Sequence, residues 1–311
     1  MPIPAGLYVP PPYVPPTVPL SAYRPTTTPL RGAHVALDGW AGPAVDGNGT
    51  EWWPTVLDGW WGGVDLRTAV TARPADHGGF DGESFLGARA LTISGVALPL
   101  TENLALIARD SIVSLCSDLR TLHTIVVTES SGLAKQANVR MAGGVKVGDL
   151  NGVDFEWQIS LVAPDPRRYD VNETTLTISA PHPPTGGLVV PLTVPFTINT
   201  TGASAAFAAA TNIGTVATRP VVTFAGPLAN PQVTNSTTGK TLALTTTIAD
   251  GEFLTLDFDR RSVLLNDLAS RASAISAGSA WWEIVPGDNK IQLSAAGGDG
   301  TATVRFRSAW R

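Results

Sequence analysis

Only one stretch, residues 101–119, repeats its apolar residues at the three-and-four spacing of a helix. Leu104, Ile107, Ala108, Ile112, Leu115 and Leu119 make up that stripe. Elsewhere apolar and polar residues alternate, or Gly and Pro break the pattern. With 31 Gly and 25 Pro in 311 residues, turns are frequent and further long helices have little room. A chain built this way closes its cores with sheets, so the predicted class is mainly β. Thr101 is placed to cap the helix, and Glu102 in the first turn suits the helix dipole. Cys116, the single cysteine, sits beside the apolar face and reads as a small buried hydrophobe. No intrachain disulfide is available to it.

The stretch WQISLVAPDPRRYD, residues 157–170, divides the chain. Trp157, Ile159 and Leu161 alternate with Gln158 and Ser160 as in a half-buried strand. Pro164 and Pro166 then end it, since neither can donate a ladder hydrogen bond and each holds its predecessor extended. Arg167, Arg168 and Tyr169 form a polar cluster suited to a contact between domains or between chains. Before this connector, strands are predicted at 34–37, 52–57, 64–73, 88–98, 124–129, 136–142 and 154–162. Five tryptophans fall between Trp40 and Trp61, a cluster that reads as core or subunit interface ahead of a sugar platform.

Residues 1–30 hold ten prolines and favour polyproline II geometry. They are either a flexible tail or an arm lying along a neighbouring subunit. Tyr8, Val9, Tyr13, Val14 and Leu20 supply apolar handholds that favour the arm.

After residue 170 no amphipathic helix is evident, and short strands with regular turns predict an antiparallel sandwich. Strands are expected at 188–199, 205–209, 219–225, 232–235, 241–249, 252–258, 262–265, 281–284, 290–294 and 301–307. The strongest local signal is TLALTTTIADGEFLTLDFD, read as a hairpin about Asp250-Gly251. The predicted division is an arm at 1–30, a β domain with one helix at 31–170, and a β-sandwich at 171–311.

Composition narrows function. The net charge of −5 gives no basic footprint for nucleic-acid binding. No apolar run is long enough to span a bilayer, and the N-terminal stretch lacks signal-peptide features, so synthesis in a cytoplasm without membrane insertion is expected. His34, His77, His123 and His182 are scattered without ligand-spaced neighbours, and no nucleotide or hydrolase motif is present. Neither metal nor cofactor is predicted. Asp257 and Asp259 sit at a strand end beside Arg260 and Arg261, where an ion-pair cluster outweighs sugar-cleaving chemistry. Trp281 and Trp282 are candidate sugar-stacking residues. In a strand they point to opposite faces, so only one could meet a ligand.

Several segments resemble the distal tail, or minor tail, proteins of long-tailed, flexible-tailed bacteriophages. They are FDGESFLGARALTISGVA, ALIARD, WQISLVAPDPRRYD, TRPVVTFAGPLANPQV, TTGKTLALTTTIADGEFLTLDFDRRSVLLND, SAWWEIVPGDNKIQL and VRFRSAW. Their order and spacing carry the likeness, which spans residues 60–311. The resemblance implies a non-enzymatic structural protein of the virion tail tip, with a ring-forming N-terminal domain and a galectin-like C-terminal β-sandwich. It further implies a hexameric ring between the tail tube protein and the tail-associated hub protein, supporting receptor-binding proteins. DNA would pass through such a ring without specific binding, and negative net charge suits that conduit. The alternative is a carbohydrate-binding module contacting the host surface.

Overall fold

The computed structural model describes residues 29–181 and 206–311. The Pro-rich stretch with Tyr8 and Tyr13, and the strand expected at 188–199, lie outside these residues. The described chain is mainly β, as the sequence predicts, and holds two separate hydrophobic cores.

The first core lies inside an antiparallel sheet. Its path runs through Trp40–Gly42, His34–Leu37, His123–Thr128, Ala134–Met141, Phe155–Ala163, Arg89–Leu98, Glu51–Asp58 and Ala44–Val45. Phe155–Ala163 is its central strand. Phe155, Trp157, Ile159, Leu161 and Ala163 all point inward, and the strand pairs along its whole length with Arg89–Leu98. The sheet curls on itself. Trp40, on the strand at one end of the path, meets Trp157 edge-on at 5.0 Å and Trp52 at 6.1 Å. Trp40, Trp52, Trp60 and Trp157 are buried, so most of the tryptophan cluster is core, while Trp61 is 46% exposed.

Among the described residues the only α-helix is Glu102–Val113. Thr101 caps it as expected, its hydroxyl accepting from the Leu104 N–H. The predicted C-terminal extension to residue 119 does not form. The chain turns at Ser114, and Cys116 takes a left-handed φ of 53° with its N–H donated to Asp38 Oδ2 at 2.8 Å. The buried stripe is therefore Ala105, Ala108 and Ile112, joined by Leu115 and Cys116 from the turn, whereas Ile107 and Leu119 face outward.

The second core fills a sandwich of galectin-like type. A six-stranded sheet runs Thr174–Ser179, Thr301–Phe306, Val221–Ala225, Phe253–Asp257, Ser262–Leu265 and Ala269–Ser270. A four-stranded sheet runs Phe207–Asn212, Gly287–Ser294, Gln232–Asn235 and Lys240–Ala243. Phe224, Leu256 and Val304 from one sheet and Val233, Leu242 and Leu293 from the other share one cluster.

Two sequence expectations change here. The Asp250-Gly251 turn forms, with Gly251 at φ 79°, but its flanks do not pair as a hairpin. Lys240–Ala243 pairs with Gln232–Asn235, and Phe253–Asp257 pairs with Val221–Ala225 and Ser262–Leu265. The turn carries the chain from one sheet to the other. Leu242, Leu244 and Ile248, and Leu254, Leu256 and Phe258, are all buried. Alternation reported the buried face correctly and the pairing partner wrongly. Residues 281–284 also form no strand beyond a single bridge from Ile284 to Thr218. Buried asparagines hold that segment instead. Asn289 donates to Val285 O at 2.7 Å and accepts from the Val285 N–H at 3.1 Å, Asn235 donates to Glu283 O at 3.1 Å, and Asn212 donates to Ile284 O at 3.1 Å. Side-chain amides thus do the work of a strand partner, which leaves few buried backbone groups unpaired.

Candidate functional site

Residues 164–170 run between the two cores. Strand Arg168–Asp170 pairs on one side with Ala134–Met141, through Lys135↔Asp170 and Gln136↔Tyr169. On the other side it pairs with Ala309–Trp310, through Arg168↔Trp310 and Tyr169↔Ala309. The chain's last strand thus joins the sheet of the first core. Gly214 lies so close to Ala309 that a Cβ there would sit 1.9 Å from the Ala309 carbonyl oxygen. The two bodies meet through backbone as well as side chains.

The predicted cluster lies at this seam within one chain. Arg167 bonds Asp165 Oδ1 at 3.1 Å and the Ala217 carbonyl at 3.1 Å, and lies 3.9 Å from Glu283. Glu283 is shared with Arg219 at 2.9 Å, and Arg219 reaches Asp259 at 2.6 Å. Burial alone would lower the Arg219 pKa, but its bonds to Asp259 and Glu283 win and raise it. Tyr169 donates its hydroxyl to Asp165 Oδ2 at 2.6 Å, and burial with the nearby carboxylate pushes its pKa up. Arg168 is buried, lies over the Trp60 ring at 5.7 Å, and has its pKa lowered by burial. Arg89, also buried, donates to the carbonyls of Gly59 and Pro166 at 2.6 and 2.8 Å, and burial followed by the Arg168 charge brings it down to about 10.

A cleft of about 970 Å³ opens along the seam. Its charged walls include Arg167, Arg219, Asp165, Asp259 and Glu283, which are engaged with one another. Asp257 does not join Asp259 as a carboxylate pair. It accepts the N–H groups of Asp259 and Arg260, both at 2.9 Å, and so closes the turn. Trp282 is buried, with its indole N–H on the Val233 carbonyl at 3.3 Å, so its face is closed to a sugar. Trp281 rests edge-on against Phe258 at 5.0 Å and keeps part of its surface accessible.

Two surfaces of the first body carry apolar side chains into solvent. One is an extended hairpin, in which Leu66–Arg67 pairs with Phe85–Leu86 and Val70–Ala72 with Gly79–Asp81. This region is predicted from sequence as one strand over 64–73. Leu66, Val70, Phe80 and Phe85 are each more than half exposed on it. The other is the outer face of the helix with its flanks, carrying Leu100, Leu106, Ile107, Val113 and Leu119. No described helix is long and apolar enough to cross a membrane.

Residues 213–310 match the family described as siphovirus-type tail component, C-terminal domain. No curated protein matches the sequence. Among solved structures, the chain is similar to the Dit protein (gp 19.1) of phage SPP1, described as a paradigm of the hub adsorption apparatus in phages infecting Gram-positive bacteria. That likeness has a TM-score of 0.62 at 14% identity, covering 90% of this chain and 99% of that one. Two structures of the phage P2 baseplate in its activated conformation, with Ca and with Sr, also align. They do so at 9% and 8% identity with TM-scores of 0.43 and 0.39, covering 88% and 87% of this chain and 97% of each of theirs.

Residues 213–310 are thus similar to a siphovirus-type tail component domain, and the fold of the chain is similar to that of the SPP1 Dit protein.

Proposed function

We propose that this chain closes with copies of itself into a ring at the tail tip, six copies in the reading carried by the resemblance. The ring joins the tail tube protein to the tail-associated hub protein and supports receptor-binding proteins, while DNA passes through. The protein works by shape and not by reaction. Residues 31–170 form the ring, residues 171–311 project as the sandwich, and residues 1–30 lie along a neighbour. Its synthesis is assigned to the host cytoplasm.

The observation that carries this reading is the apolar hairpin at 65–87 together with the outer helix face. Both belong to the first body, whose own core is already filled. Contiguous exposed apolar surface is normally covered by a partner. Two different patches on one subunit suit the head-to-tail contacts of a ring, where one patch meets another on the next copy. The mutual pairing of charged groups in the cleft supports a non-enzymatic role. Electron microscopy of phage particles carrying this chain, labelled by an antibody to the 206–311 sandwich, tests the assignment. Label at the tail tip is expected, and label along the tube or on the head overturns it.

A further inference from the structure

Folding brings three metal-ligating side chains together at one end of the first core. Asp38 comes from the tight turn between His34–Leu37 and Trp40–Gly42, Cys116 from the turn after the helix, and His123 from the start of His123–Thr128. Their ligand atoms all lie within 4.8 Å of one another. Asp38 Oδ1 and His123 Nδ1 are 3.4 Å apart. Two ligands on one tetrahedral Zn²⁺ are about 3.3 Å apart, from bond lengths near 2.0 Å. We propose that Asp38, Cys116 and His123 form a binding site for one zinc-type divalent cation, which pins the first hairpin to the end of the helix.

The polar contacts point the same way. His123 Nε2 lies 2.9 Å from the Asp118 carbonyl oxygen. A carbonyl only accepts, so Nε2 carries the hydrogen in that bond. His123 Nδ1 then faces Asp38 Oδ1 across 3.4 Å, a span that a cation held by both atoms would bridge. Fixing one ring nitrogen on a backbone carbonyl is the usual outer support of a metal-bound histidine. The turn that presents this carbonyl is itself fixed, because the Asp118 carboxylate accepts from the Arg120 N–H at 2.9 Å and the Thr121 hydroxyl at 2.8 Å.

The other two ligands are also positioned. Asp38 Oδ2 takes the Cys116 N–H, which leaves Oδ1 directed at the histidine. Asp38 and Cys116 both hold left-handed backbone, at φ 47° and 53°, a conformation non-glycine residues adopt at a cost. Cys116 is buried, the His123 side chain is 12% exposed and that of Asp38 is 39% exposed. The site is thus closed on the core side and open beside the carboxylate, where a water completes four ligands. A mixed sulfur, nitrogen and oxygen set suits Zn²⁺, whereas Mg²⁺ and Ca²⁺ prefer oxygen alone.

The test uses the full-length untagged chain, reduced and stripped with a chelator. Co²⁺ is added as a spectroscopic stand-in, and Zn²⁺ then competes. A thiolate-to-cobalt charge-transfer band saturating at one equivalent, abolished by Zn²⁺ and absent in Cys116→Ser, is expected. Asp38→Asn keeps an acceptor for the Cys116 N–H and so keeps the fold, but weakens Zn²⁺ binding tenfold or more. No band in the unsubstituted chain overturns the proposal. So does a band that survives in Cys116→Ser, or an affinity in Asp38→Asn within tenfold of the original.

Discussion

Arg168 donates from Nη2 to the backbone carbonyl of Arg311 at 2.5 Å, across 143 residues of chain. This bond closes the seam just after the connector prolines Pro164 and Pro166. Around it, Arg307 donates to the Asp170 and Val171 carbonyls, and Lys135 lies over the Trp310 ring at 5.1 Å. The connector is clamped on both sides, so the sandwich takes one orientation relative to the first body. A ring subunit needs that property if its outer parts are to be held in register.

Arg168→Ala removes that bond and the contact with Trp60 while relieving a buried charge. The net loss expected is about 2 kcal/mol, read by chemical denaturation at neutral pH. Arg168→Lys does not rescue it, because an ammonium cannot reproduce the planar fork.

Tyr169 supplies a pH signature. Its folded-state pKa is raised above the ordinary value of 10.0 by burial and by Asp165. A raised folded value means the stabilising contribution is complete below pH 10 and lost as pH climbs above it. Tyr169→Phe is expected to cost about 1–2 kcal/mol at pH 8, through the lost bond to Asp165, and to flatten the alkaline fall in melting temperature. Melting curves from pH 8 to above pH 10 check both effects.

Asn289→Leu targets the amide network under residues 281–286. Its amide donates to the Ala210, Val285 and Gly287 carbonyls, and its oxygen accepts from Val285 and Asn235. Leucine fits the volume but leaves several of these buried groups unpaired, so a loss of about 2–3 kcal/mol is expected. Thermal unfolding of the variant measures it.

The exposed hairpin makes the opposite prediction. Val70→Asp and Phe80→Asp touch no core, so the isolated subunit should keep its stability within about 0.5 kcal/mol. Self-association should weaken at least tenfold, seen by sedimentation velocity over a concentration series.

How far the sequence was legible varies from residue to residue. Thr101 was readable as a cap because capping is decided within four residues. The helix end was not, because the Cys116 N–H is claimed by Asp38, 78 positions away. The same separation hid the Asp38, Cys116 and His123 cluster, since ligand spacing in sequence cannot reveal groups that only the tertiary fold assembles. Leu254 and Leu256 showed their buried face by alternation, but nothing local tells a strand which sheet it will enter. Arg167, Arg168 and Tyr169 read from sequence as a polar contact cluster, and the pairing of Arg168–Asp170 with Ala309–Trp310, set by residues about 140 positions away, could not be read there. Trp281 and Trp282 suggested a strand pair, which the buried asparagines override.

Native mass spectrometry of the purified full-length chain tests the central claim most directly. A closed oligomer of one discrete stoichiometry, six copies, that falls to monomer in Phe80→Asp is predicted. A strictly monomeric chain at high concentration, or an open ladder of sizes without closure, would contradict a ring-forming tail protein.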